Sequence, residues 1–361
     1  MSGLEVSILF ATWSGTCVVL EVPSGALADR FSRKWVMAAG QLVRMCGYAC
    51  WALYPDFWGF FIGFVLWGTE SALSSGSFEA LVYDELKHQR KEADYVKELG
   101  RSRSLRNGGL IVSALAATAV FGYGYEFLLW ASVAAVFLAF VVLLTLPEAP
   151  AAEATSEHTY LKLLKSGVGY VIHQPEVLRL IIFISITVTV GGVLDEYWPL
   201  FAIEAGLPKY SLGIFLAVVY VVPAASSLVA HRFENWPSRL FCVAILLCGV
   251  LLLLAAWEMK TAGIALLVII NFLIQMTDVV FDGRLQHMIP SETRATVASV
   301  RGVSIEMWGI LTFLAMGNIV GEGSFRVGFL AYGGLLLFLG LIYTAWMVPL
   351  LIPRRPRTNP A

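Results

Sequence analysis

Several ionisable and amide side chains of this chain stand inside long apolar runs, at spacings that gather them on single helix faces. Asn271, Gln275, Asp278 and Asp282 follow steps of four, three and four, one polar stripe along a helix. Ser299, Gly302, Glu306 and Gly309 step by three, four and three, and Glu70, Ser74 and Ser77 make a shorter stripe. Asp195 and Glu196 sit together in another apolar run, and Arg44 in a further one. A carboxylate in hydrocarbon costs about 2.5 to 3.5 kcal/mol on insertion scales, so such residues need a cavity or a partner. Their chemistry is that of binding a polar solute and of taking up and releasing a proton. His, Cys and Ser are not set at catalytic spacing and a P-loop is missing, which argues against an enzyme.

Each residue also has a plainer reading. Glu21 and Asp282 lie near helix ends, where a carboxylate is solvated or pairs with a loop arginine. Asp195 and Glu196 precede Tyr197, Trp198 and Pro199, the makings of an interfacial anchor. Arg44 is either a partner for one of the acids or a residue snorkelling between helices. Trp67, Trp198 and Trp308 either stack on a ligand or pack. Glu70, Asp278 and Glu306 lie deep in their runs and resist a plain reading.

The elements that hold these residues follow from composition. With 58% hydrophobic and 14% charged residues over 361 positions, the chain is an all-α, polytopic membrane protein. Eleven runs reach the length of about 20 residues that spans a bilayer as helix. They are Val6 to Ala28, Trp35 to Tyr54, Phe57 to Tyr83, Leu105 to Tyr123, Phe127 to Leu146, Leu178 to Ile203, Tyr210 to Ala230, Leu240 to Trp257, Ala262 to Asp282, Val297 to Val320 and Phe325 to Leu351. When loops alternate between sides, all but four of the 25 Lys and Arg fall on one side; Lys209, Lys260 and Arg326 lie opposite and Arg44 within a span. That side is the cytoplasm, which puts the C-terminus inside and the N-terminus outside a cell membrane.

A polar stretch divides the runs five and six. Residues 1–146 form a first helical bundle, 147–175 a cytoplasmic linker and 176–361 a second bundle. The linker opens with Pro, Ala and Glu at 147–158, and then Tyr160, Leu161, Leu164, Val168, Val171 and Ile172 recur at helical spacing, predicting an amphipathic helix at the interface. The five cysteines lie in apolar runs without metal-ligand or disulfide spacing, and no basic segment marks a cleavable signal peptide. The net charge of −1 gives no reason to expect nucleic acid. No cofactor or metal is expected.

The stretch GALADRFSRK at 25–34 joins the first two runs. Gly25 and Ala28 permit close helix approach, Asp29 can accept from a helix N-terminus, and Arg30, Arg33 and Lys34 mark a cytoplasmic turn. It resembles the signature GxLADRxGRK between the second and third helices of major facilitator superfamily transporters, with Ser32 in place of Gly. LEVPSGALADR, EALVYDEL at 79–86, DYVKELGRSRSL at 94–105 and VLDEYWPLF at 193–201 resemble a bacterial branch of that superfamily. The chain departs from its drug:proton antiporters, lacking the membrane-embedded RxxxG arginine and the GPxxGG pattern, and AHRFENWPSR at 230–239 is a degenerate second copy of the signature.

The resemblance implies two six-helix halves rocking about a central site, a small-molecule substrate, protons as coupling ion and a monomer in the bilayer. Efflux of an amphiphilic compound is the first expectation and proton-coupled uptake of a small metabolite the second. A membrane sensor or interaction protein that keeps the fold is the alternative from another class. The gating residues would be Gly25, Asp29, Arg30, Arg33, Lys34 and Asp84, with Asp29 accepting from a helix start near Thr296 to Ser299 and Arg33 pairing with Asp84. The path would be lined by Glu70, Asp195, Glu196, Asn271, Gln275, Asp278 and Glu306, with the coupling proton on Glu70, Asp278 or Glu306. Residues 2 to 9 resemble the loop entering the superfamily's second helix, so a first helix is expected upstream of this sequence.

Overall fold

The computed structural model describes residues 1–75, 77–91, 94–146, 167–230, 232–289 and 294–347. Its elements are α1 (Gly3–Arg30), α2 (Arg33–Leu53), α3 (Phe57–Ser74), α4 (Ser77–His88), α5 (Tyr95–Val120), α6 (Tyr125–Thr145), α7 (residues 167–173), α8 (Pro175–Glu204), α9 (Leu212–Ala230), α10 (Ser238–Glu258), α11 (Thr261–Met288), α12 (Arg294–Val320) and α13 (Phe325–Ile342). Among the described residues, nine helices are long and apolar enough to cross a membrane. The eleven runs differ from these nine at two places. The second run is α2, which carries Arg33, Lys34 and Arg44. The third is broken, because α3 ends at Ser74 and α4 starts afresh at Ser77. The linker at 147–166 lies outside the described residues, and the helix expected near 160–172 is described only as α7.

Local sequence sets the helix ends. Ser2 accepts from the Glu5 amide while the Glu5 carboxylate accepts from the Ser2 amide, a capping box that starts α1. Asp56 accepts from the Gly59 amide at the start of α3, and Pro175 opens α8 where its missing N–H costs nothing. Gly206, at φ 90°, turns the chain after α8. The helix α1 runs through Arg30, so Gly25 to Arg30 forms its last turns and only Phe31 and Ser32 separate it from α2.

Two groups of helices result. In the first half α1 and α2 pack on α3 and α2 packs on α6; in the second, α8 lies against α11 and α12, α9 against α11, and α10 against α11 and α13. Two seams join the halves, α1 with α12 and α5 with α9. The large core cluster belongs to the second half, where Phe183 lies 4.5 Å from both Phe281 and Tyr343 between ring centroids and Trp198 stacks on Phe329. Two-thirds of the α8 span is buried, 67%, against 6% for each of α5 and α6, which makes α8 the axis of its half.

Candidate functional site

Glu70 hangs from the last turns of α3 toward α2 and is 2% exposed. Arg44 of α2 forms an ion pair with it, Ser74 donates to its Oε1 at 2.8 Å, and Gln41 donates to the same oxygen at 3.3 Å. The two donors sit on the two helices that flank the carboxylate, at the helical spacings 70/74 and 41/44, so the sequence places them without any loop. The Arg44 guanidinium also lies 5.7 Å from the Trp67 ring, and Tyr48, Trp51 and Phe64 complete an aromatic wall around it. Of the two readings left open for Arg44, the ion pair is the one found.

Across the α1–α12 seam the helices run antiparallel. A Cβ on Gly317 would stand 2.6 Å from the Ser7 Cβ, so the glycine permits the close approach. Phe10 meets Phe313 at 5.3 Å between centroids, and Gly309 stands opposite Ser14. The Glu306 carboxyl faces the Ser14 hydroxyl, with Cys17 and Glu21 further along α1. Glu21 accepts a hydrogen bond from Ser75 at 3.3 Å. Ser7 and Tyr197 of α8, each fully buried, share a hydrogen bond of 2.6 Å, and Tyr197 also makes ring contacts with Phe10, Phe313 and Phe325. This aromatic cluster joins α1, α8 and α12 in the part of the bundle where α1 begins. The second seam is tight at the same end, where Gly213 of α9 lies against Ala114 and Thr118 of α5.

In the second half, Arg301 of α12 donates to Asp278 at 2.8 Å and lies 3.6 Å from Asp282, bridging two acids one turn apart on α11. Of the same stripe, Asn271 is buried and Gln275 half-buried. Asp195 accepts from the Trp198 indole. Glu196 has an exposed side chain although α8 is the most buried span, and it stands near Tyr220 of α9.

The gating residues divide. Lys34 is buried and donates to the Leu146 carbonyl at 2.6 Å, tying the start of α2 to the C-terminal end of α6, where a cation also meets the negative end of the helix dipole. Arg33 is half-buried at the start of α2. Gly25, Asp29, Arg30 and Asp84 lie in α1 and α4, but their side chains, like those of Thr296 and Ser299, fall outside what is described, and with them the expected pairings of Asp29 and of Arg33 with Asp84.

Three contacts were not read from the sequence. Ser7–Tyr197 joins polar residues 190 positions apart with no pattern to announce it. Arg301 counted as a loop cation, whereas its place seven residues inside α12 puts it level with the acids of α11. Arg284 donates to Ser238 and to the carbonyls of Glu234 and Trp236, fastening the α9–α10 connection to α11.

The Major Facilitator Superfamily sequence model matches residues 1–313. The chain belongs to that superfamily. An uncharacterized MFS-type transporter of Bacillus subtilis (strain 168), YxaM, is 22% identical over 237 residues, 64% of this chain and 58% of that relative, so the chain spans under two-thirds of that relative's length. Among solved structures, the nucleoside transporter NupG superposes with a TM-score of 0.78 at 15% identity, covering 96% of this chain and 90% of that one. A D-xylose-proton symporter gives 0.75 at 12% identity, covering 96% and 88%, and the POT family transporter PepTSo gives 0.73 at 12%, covering 98% and 91%. At such identities the superpositions establish the MFS fold and nothing finer.

Proposed function

We propose that this MFS chain is a secondary transporter that moves an amphiphilic small molecule out of the cell by alternating access, with a proton as the coupling ion. One observation carries the reading: carboxylates sit at mid-helix along the faces where the two halves meet, above all Glu306 against Ser14 across the α1–α12 seam. A structural scaffold gains nothing from the insertion cost of such groups. Glu70 and Asp278 have arginine partners, whereas Glu306 faces a hydroxyl. Glu306 can therefore change charge without stranding a cation, and it is assigned the coupling proton. The aromatic wall of Tyr48, Trp51 and Trp67 beside Arg44 supports an amphiphilic substrate. The fold is shared with a D-xylose-proton symporter, which supports proton coupling and keeps uptake of a small metabolite as the second reading.

In this reading residues 1–146 and 176–361 are the moving halves, 147–175 links them on the cytoplasmic side, the C-terminus lies in the cytoplasm, and the monomer works in the cell membrane. The Ser7–Tyr197 cluster closes the outer end. Counterflow in proteoliposomes over a compound panel, with and without a pH gradient, tests it. A substrate should exchange, and Glu306→Gln should keep exchange while losing the response to the pH gradient. Absence of flux for every compound would sink the transport reading, and an unchanged response in Glu306→Gln would remove the proton from that residue.

A further inference from the structure

The helices α9 and α11 enclose a groove of about 460 Å³, lined by Val218, Val221 and Ala225 of α9 and Val268, Ile269 and Phe272 of α11. That volume lies in the range of ligand pockets, about 300 to 1,000 Å³. No polar side chain lines it, so nothing in it could orient a polar solute. It also faces away from the central path. On α9 the path side carries Gly213 and Tyr220, toward α5 and Glu196, and the groove residues lie on the next face round. On α11 Ile269 stands about 120 to 180° round the helix from the stripe of Asn271, Gln275 and Asp278, with Val268 and Phe272 between them on the side toward α9. Val218, Val221 and Ile269 are 47%, 48% and 46% exposed there.

Depth identifies the occupant. Val218 to Val222 and Val268 to Phe272 lie about 10 to 18 Å along their helices from the same end, near the middle of a hydrocarbon core about 30 Å thick. What abuts an outward-facing surface at that depth is lipid hydrocarbon. The groove has a sequence cause as well. Ala225 leaves space where a longer side chain would close the gap.

We infer that one acyl chain of a membrane phospholipid lodges in this groove, as a bound wedge between α9, which carries a seam between the halves, and α11, which carries Asp278. The site is independent of whether the protein transports. The test uses the full chain in vesicles of 1-palmitoyl-2-oleoyl-phosphatidylcholine containing the same lipid with a photoreactive diazirine on one chain, followed by peptide mapping of the crosslinks. Phe137, Leu138 and Val142 of α6, 49%, 65% and 59% exposed, are the reference for passing contact with bulk lipid. Labelling of Val218 to Ala225 and Val268 to Phe272 should exceed that of α6 about fivefold, because a chain packed on two sides stays longer than one touching a single face. Val221→Trp, which fills the groove, should bring it down to the α6 level with α6 itself unchanged. Equal labelling of groove and α6 in the unmodified protein overturns the inference. So does undiminished groove labelling in Val221→Trp or, should that variant misfold, in Ala225→Leu.

Discussion

Each half of the molecule holds an ion pair between two helices, and the two pairs live in opposite surroundings. Arg44–Glu70 sits in the loosely packed half, yet its carboxylate side chain is only 3% exposed. Arg301 bridges Asp278 and Asp282 in the half that owns the core, yet those acids are 26% and 39% exposed. The explanation lies in which face each helix offers. The α2–α3 contact is deep and aromatic, so Glu70 disappears between them, whereas α11 and α12 each pack on α8 and Arg301 reaches its acids past that shared neighbour. Packing density of a domain therefore does not foretell the burial of its charges; the register of two helices does.

The first prediction breaks this contrast and has the largest effect. Arg44→Met strands a buried carboxylate and should cost about 3 to 5 kcal/mol. The double variant Arg44→Met with Glu70→Met should recover most of it, since an apolar pair has nothing to desolvate. Arg301→Met leaves acids that water can reach and should cost about 1 kcal/mol or less. Thermal unfolding of the purified variants measures all three, and equal losses for the two arginines would show that the two surroundings do not differ in energy.

The seams provide the second comparison. A Cβ on Gly213 would stand 2.1 Å from the Ala114 carbonyl oxygen, a backbone atom that cannot rotate away. Gly213→Ala should thus force α5 and α9 apart at a cost of about 1 to 3 kcal/mol. The α5 helix suffers most, because its main neighbour is α9. Faster proteolysis between α5 and α6 than elsewhere is the expected signature, and an intact α5 with an unchanged unfolding temperature would contradict it.

A smaller loss is expected at the closed end. Tyr197→Phe removes the hydroxyl that Ser7 shares and should cost about 0.5 to 1.5 kcal/mol. It should also raise labelling of a cysteine placed at Phe10 by a membrane-impermeant reagent added outside. No change in that labelling would deny the cluster its gating part.

Much of this architecture was legible in the residues, and the pattern of what was not is physical. Helix positions came from length and hydropathy, which local sequence controls. The break between Ser74 and Ser77 was missed because small residues continue an apolar run as easily as they end one. The stripe on α11 follows from helical period alone, but its partner Arg301 depends on the depths at which α11 and α12 are each set against α8, a property of neither sequence taken singly. Glu70 could be seen to need a partner, and that the partner is Arg44 is set by the rotation of α2 against α3. Eight of the ten signature residues at 25–34 are helical, six because nothing before Phe31 stops α1 and two because α2 starts at Arg33.

The last prediction tests the open flank of the first half, where the change is small and its sign carries the information. In the second half α12 packs against both α1 and α8, so that a Cβ on Gly317 would meet Ser7 at 2.6 Å and one on Gly309 would meet Ser14 at 3.6 Å. On α5 a Cβ at Gly108 or Gly109 would meet nothing within 4 Å. With no neighbour to strike, the substitution acts only on the helix itself, where glycine costs about 1 kcal/mol relative to alanine. Gly108→Ala should therefore stabilise the protein by up to about 1 kcal/mol, while Gly317→Ala at the crowded seam should destabilise it by about 1 to 3 kcal/mol. Opposite signs in thermal unfolding are the expected result. A loss of stability in Gly108→Ala would mean that another helix, or lipid held as tightly as one, covers that face of α5.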